Sequence, residues 1–241
     1  MMSILKSISG HKSPGTGADD IYLTEILHPN DPRAKGPDMT LAKRSEIGNL
    51  LRRGTFKVIL KRDVPPDGNI LPGRFVLAIK SKIDGRVIFK ARYVIGGHRD
   101  KMKDLLVHST NTVQPHSVRL ITAIAPMFDF EVWGTDVKQA YLQAKKELGR
   151  NLYIFDAVPE FELEPEQCLK LLKPLYGLCD SGDLWHETLD EHFRKELGLK
   201  QGKLDPALYA FDPGSDLKGL TGSYVDAVSY THLTLPTIYS V

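Results

Sequence analysis

The chain has 241 residues, 41% of them hydrophobic and 26% charged, with a formal net charge of +2. That is an ordinary soluble profile, long enough for one large domain or two small ones. It excludes a bulk electrostatic signature of nucleic-acid binding, so any such contact needs a local basic face. No window approaches the length of a membrane span, and residues 1–5 lack the apolar core of a signal peptide. Cys168 and Cys179 have neither metal-site nor disulfide-framework spacing. A reducing, intracellular setting is expected.

In chain order, residues 1–37 are rich in Gly, Pro, Ser and Asp and read as a disordered linker. Leu41, Ile47, Leu50 and Leu51 fit one face of an amphipathic helix that Gly54 stops. Residues 56–60 form a short strand, and residues 63–73 a loop with three prolines and two glycines. Two β-rich runs follow, 74–83 and 87–95, with Asp84-Gly85 between them, a strong hairpin signal. The hairpin is basic. By period-2 alternation Lys80 and Lys82 share one face, and Lys90 and Arg92 share one face. Lysines that protect a solvated edge and a clamp for phosphates both fit that pattern.

Val118, Ile121 and Ala125 predict a helix that Pro126 ends. A largely apolar run then leads into Asp136. An acid at the end of a buried strand is costly unless it is paired or holds a cation; the alternative is that Asp136 caps a helix beginning near Val137. A short helix is expected over residues 138–145 after it. Strands are expected at 152–155 and 168–172 around an acidic loop. Leu175-Tyr176-Gly177-Leu178 turns into a strong helix over about 180–197, with Trp185, Leu189, Phe193 or His192, and Leu197 on its apolar face and Gly198 as its stop. His186 and His192 read as surface and helix-face residues, because no partner ligands accompany them. Residues 205–211 enter a strand, and 219–224 form another before Val225-Asp226.

Asp136-Val137-Lys138-Gln139-Ala140-Tyr141, Leu175-Tyr176-Gly177-Leu178 with its Trp helix, Asp205-Pro206-Ala207-Leu208-Tyr209 and Tyr224-Val225-Asp226 occur in that order. Together with Lys90-Ala91-Arg92, they resemble the reverse transcriptase of Ty1/copia-type retrotransposons over roughly residues 32–226. The resemblance implies an α+β fold: an antiparallel palm sheet with helices on one face, plus a basic β-hairpin as fingers. It implies an RNA-directed DNA polymerase, with fingers and palm over residues 38–227.

Nucleotidyl transfer of this kind uses two magnesium ions held by carboxylates. By resemblance, Asp136 and Asp226 are the catalytic metal ligands, with the Val137 backbone beside them. Tyr141 stands where the family keeps an aromatic ring against the sugar. Lys80, Lys82, Lys90 and Arg92 are the nucleotide-binding candidates, Arg92 foremost. The implied partners are an RNA or DNA primer–template, dNTPs and the rest of a retrotransposon polyprotein, in a particle or nucleus of the host and without a membrane.

Two departures bear on activity. Cys179-Asp180 stand where many members have a glutamine. The family's paired acids become Asp226-Ala227. From Val228 the pattern stops, and residues 228–241 read as a non-family tail in place of a second palm strand and thumb; the alternation of Val228, Tyr230 and His232 alternatively reads as a divergent strand. The fragment is expected to be inactive. The rival reading is a non-catalytic nucleic-acid-binding or structural module that keeps the fold.

Overall fold

The computed structural model describes residues 22–82, 85–106, 111–211, 219–224 and 227–232, with the backbone alone at 22, 135, 136 and 227–232. In chain order come β1 (Tyr22–Leu27), α1 (Pro37–Arg52), β2 (Phe56–Leu60), β3 (Asn69–Ile70), β4 (Gly73–Lys82), β5 (Val87–Ile95) and α2 (Pro115–Met127). Then follow β6 (Glu131–Asp136), β7 (Leu152–Ile154), β8 (Gln167–Leu171), α3 (Ser181–Glu191), β9 (Lys200–Gln201), β10 (Leu208–Ala210), β11 (Leu220–Tyr224) and β12 (Ala227–His232). The result is a mixed α+β chain. Among the described residues no helix is long and apolar enough to cross a membrane.

The chain divides into two compact units. One takes the described residues of Lys12–Val107 and Lys146–Ser181, the other those of His108–Lys145 and Gly182–Val241. The first holds a three-stranded antiparallel sheet, β1-β4-β5, and a four-stranded sheet, β2-β8-β7-β3, in which β3 and β7 run parallel. Leu77, Ile79 and Ala91 turn one face of β4 and β5 into a core with Leu27, Ala34 and Met39. Phe56, Phe75, Tyr93 and Phe161 meet edge to face, with centroids 5.2–6.1 Å apart.

Two expectations are corrected here. The N-terminal linker ends earlier than residue 37, because Tyr22–Leu27 pairs with β4 along its whole length and buries Leu27. Its β-favouring residues were masked by the Gly- and Pro-rich sequence around them. On α1, Met39, Ile47 and Leu50 are buried whereas Leu41 and Leu51 are exposed. The helix begins at Pro37, and the stripe that starts from Met39 repeats at helical spacing through Ile47 and Leu50.

The second unit is built on a five-stranded antiparallel sheet, order β6-β12-β11-β10-β9. α2 packs Ile121 onto Gly222 of β11, where any Cβ would press on Ile121 and Val113. The expected α3 region is an α-helix only to Glu191; a π-helical turn, His192–Glu196, follows, and Gly198 ends it at φ 66°. Trp185, Leu189 and Phe193 are buried as the spacing predicts, but Leu197 is half exposed. His186 is buried as well, contrary to its surface reading, and burial pushes its imidazole pKa down.

Candidate functional site

β6 is an edge strand of its sheet, and its last residue is Asp136. β12 lies between β6 and β11, and Ala227 is the cross-strand partner of Asp136 on one side and of Tyr224 on the other. β12 therefore begins opposite both Tyr224 and Asp136. Asp226 itself lies outside the described residues, as does the side chain of Asp136.

After Asp136 the chain does not form the expected helix over 138–145. Gln139 takes the left-handed conformation at φ 54° and only a short 3-10 turn follows, Ala140–Gln143. A non-glycine residue in that region is uncommon and interrupts a helix. The Gln143 amide donates to the Lys138 carbonyl at 2.8 Å and closes the turn. Val137 and Ala140 drop into a core with Trp185, Leu189, Phe193, Leu199 and Tyr209, and Tyr141 packs half-buried against that cluster.

Asp205, which the sequence marks only as the entry to a strand, has a defined task. Its carboxylate accepts from the Gln114 and Ala207 backbone N–H groups at 2.8 and 3.0 Å. Gln114 immediately precedes α2, so Asp205 satisfies a free amide at that helix start. Burial pushes the Asp205 pKa up, but hydrogen bonds from Ser117, Gln114 and Ala207 outweigh it and hold the group below its ordinary value.

In the first unit the two β-rich runs pair as an antiparallel hairpin, as predicted, while Asp84 lies outside the described residues. Lys82 and Arg86 close it, with Gly85 at φ 83°. The register adds what alternation alone left open. Val76 faces Arg92, Ala78 faces Lys90 and Lys80 faces Ile88. Directly opposed residues share a face, so Arg74, Lys80, Lys82, Lys90 and Arg92 all stand on one face of β4-β5. The opposite face carries the apolar core.

The Arg92 guanidinium lies over the Tyr176 ring at 5.5 Å. Two motifs separated in sequence, Lys90-Ala91-Arg92 and Leu175-Tyr176-Gly177-Leu178, thus meet. Their backbones are joined too. Ile95 N–H donates to the Tyr176 carbonyl at 2.8 Å and Gly97 N–H to the Gly177 carbonyl at 3.2 Å. Gly177 sits at φ 95°, and a Cβ there would collide with the Ile95 carbonyl. Only glycine allows this approach.

Sequence reading missed Arg150. Its guanidinium is buried between two carboxylates, bonding Asp100 at 2.7 Å and Asp180 at 2.6 and 3.0 Å. Asn69 and the Met102 N–H bond the other oxygen of Asp100 at 2.7 and 2.9 Å. Burial pushes the Asp100 pKa up, but those donors and Arg150 bring it below its ordinary value. Asp180, where the resemblance leads one to look for a glutamine, is committed to Arg150. No signal in one sequence pairs residues so distant.

With this geometry in place, comparison with known families is decisive. The family model for reverse transcriptase (RNA-dependent DNA polymerase) matches residues 55–238. The chain belongs to this family. No solved structure matches it. The reverse transcriptase match takes in both the basic hairpin and the Asp136–Ala227 strand pair, and it continues through β12, past the point at which the sequence reading ends the family pattern. Among the described residues no group of three or more His, Cys, Asp or Glu could hold a metal ion.

Proposed function

We propose that this reverse transcriptase chain is the fingers and palm of a Ty1/copia-type retrotransposon polymerase, from about residue 38 through β12, with β1 added to the fingers sheet. It serves a primer–template and dNTPs as part of a larger polyprotein. The observation that carries the reading is the cross-strand pairing of Asp136 with Ala227, which directly follows Asp226. Asp136 thereby ends the strand that pairs with the one beginning at Ala227, the residue after Asp226 in sequence.

Asp136, Asp226 and the Val137 carbonyl are oxygen donors of the kind that magnesium prefers, and they would hold it. When bound, magnesium supplies charge neutralisation at the phosphates and activation of the primer hydroxyl. The chain's own contribution lies in its side chains. Lys80, Lys82, Lys90 and Arg92 bind phosphate by charge-assisted hydrogen bonds. Tyr141, held against the Val137–Trp185 core, stands as the wall beside the sugar.

Ala227 offers no side-chain oxygen where the resemblance expects a second adjoining acid. For that reason the chain as written is proposed to bind without polymerising, and the same substitution favours a second reading, a nucleic-acid-binding module without catalysis. Primer extension on a primed RNA template with magnesium and dNTPs tests both. The expected result is primer–template binding without extension. Magnesium-dependent synthesis by the unmodified chain overturns the inactive reading; failure to bind primer–template at all overturns both.

A further inference from the structure

Arg150 touches none of the candidate nucleotide contacts, yet it is the most deeply buried cation with two carboxylate partners among the described ion pairs, its side chain 4% exposed. Breaking a buried pair by removing one partner is costly because a charge is left uncompensated. What its two partners belong to is therefore informative. Asp100 ends the short segment that follows β5, five residues after Ile95, and β5 carries Arg92. Asp180 ends the turn that carries Tyr176. Arg150 bridges the ends of the same two segments whose middles are joined by Ile95–Tyr176 and Gly97–Gly177 backbone bonds. The Arg92–Tyr176 stack stands at the head of this seam.

We propose that Arg150 is a positioning residue for Arg92: by gripping Asp100 and Asp180 together it sets the turn bearing Tyr176 against β5, and the Tyr176 ring fixes where the Arg92 guanidinium stands. This inference rests on the reading of Arg92 as a phosphate contact, and it adds the residue that holds that contact in place. The chemistry favours arginine for the task. A planar fork bonds one carboxylate with two N–H groups and still reaches a second, which a lysine ammonium cannot reproduce in fixed geometry. A guanidinium held on an aromatic face is pre-ordered, so less rotamer freedom is lost when a phosphate arrives.

The test uses the full chain and two independent readouts. The first is the NMR resonance of the Arg92 Nε–H, which the Tyr176 ring current displaces; Tyr176→Leu identifies that displacement. The second is binding of inorganic triphosphate by calorimetry. Arg150→Lys keeps the charge and loses the fork. It is expected to abolish the ring-current displacement and to weaken triphosphate binding by about three- to tenfold, the scale of one ordinary net hydrogen bond. In an Arg92→Ala background the same change is expected to cost nothing further, because its effect passes through Arg92.

Should Arg150→Lys unfold the chain, Asp180→Asn, which retains shape and a hydrogen-bond acceptor, is read in its place with the same expectations. An Arg92 resonance that stays displaced in a folded Arg150→Lys or Asp180→Asn variant overturns the inference. So do losses from Arg92→Ala and Arg150→Lys that multiply, as a purely structural role would give. A resonance that moves while Arg92→Ala leaves triphosphate binding unchanged upholds the positioning and overturns the phosphate role of Arg92 instead.

Discussion

Asp136 and Ala227 are cross-strand partners, the last residue of β6 facing the first of β12. Directly opposed residues of an antiparallel pair share a face, with Cβ atoms ~4.5–5.5 Å apart. A carboxylate introduced at 227 would therefore stand at the register position opposite Asp136. Cation affinity in oxygen sites rises with the count of charged ligands. Ala227→Asp is expected to tighten manganese binding about tenfold, the equivalent of ~1.4 kcal/mol. Titration followed by water-proton relaxation measures it, and unchanged affinity would detach position 227 from any metal site.

Asp205 gives a stability prediction in the second unit. Asp205→Ala leaves the Gln114 and Ala207 amides without their acceptor and removes the tie between β10 and the start of α2. Loss of hydrogen bonds to a charged group suggests destabilisation of about 2–3 kcal/mol. Urea denaturation should show the midpoint falling at an unchanged slope. A variant as stable as the parent would show that the cap is dispensable.

Much of the fold was legible because it rests on local signals. Asp84-Gly85 between β-rich runs gave the hairpin, and Trp185, Leu189 and Phe193 gave the buried face of α3 and of the π-helical turn that follows it. The strand ending at Asp136 was legible from its apolar run and the turn after it. The rest depended on tertiary pairing. β1 earns its place through β4, not through its neighbours in sequence. Gln139 adopts a left-handed conformation that its residue type does not announce. The face shared by Lys80, Lys82, Lys90 and Arg92 needed the register of β4 against β5, since alternation fixes the face within one strand only. Arg150 was hidden most completely, because its partners lie fifty residues before it and thirty after.

The Arg150 network also sets a pH dependence. The Asp100 carboxyl is held below its ordinary value in the fold, so it contributes stability that is present above the unfolded pKa, about 3.9, and is lost as the pH falls through the lower, folded value. Thermal melts should therefore drop steeply in strong acid. Asp100→Asn should lower the melting temperature at neutral pH and flatten the dependence below about pH 4. An equally steep acid limb in the variant would assign the loss to other carboxylates.

Gly177 should tolerate no side chain. Its φ of 95° is strained for any L residue, and a Cβ would collide with the Ile95 carbonyl. Gly177→Ala must part the seam between Tyr176 and Ile95, at a cost of about 3 kcal/mol when backbone strain and a lost buried hydrogen bond are combined. The contrasting control is Gly54→Ala: it too has positive φ, 63°, but nothing lies within 4 Å of its Cβ position. It should cost only about 1 kcal/mol, the left-handed penalty alone. Equal losses in the two variants would mean that the close approach does not matter.

The cationic face makes the final prediction. Each cation that neutralises a phosphate contributes about 0.7 to the slope of log K against log salt for a single strand and about 0.9 for B-DNA. If Lys80 and Lys82 contact a nucleic-acid backbone, Lys80→Ala and Lys82→Ala should each weaken binding regardless of sequence and flatten the slope by roughly that amount. Lys57 and Lys170 supply the control. They oppose each other across β2 and β8, in the other sheet of the same unit, so their removal changes net charge equally. A general charge effect would make all four substitutions alike. A specific face would leave the Lys57→Ala and Lys170→Ala slopes at the parent value while those at 80 and 82 fall. Fluorescence anisotropy of a labelled primer–template across a salt series separates the two outcomes, and four equal slopes would remove the nucleic-acid role of this face.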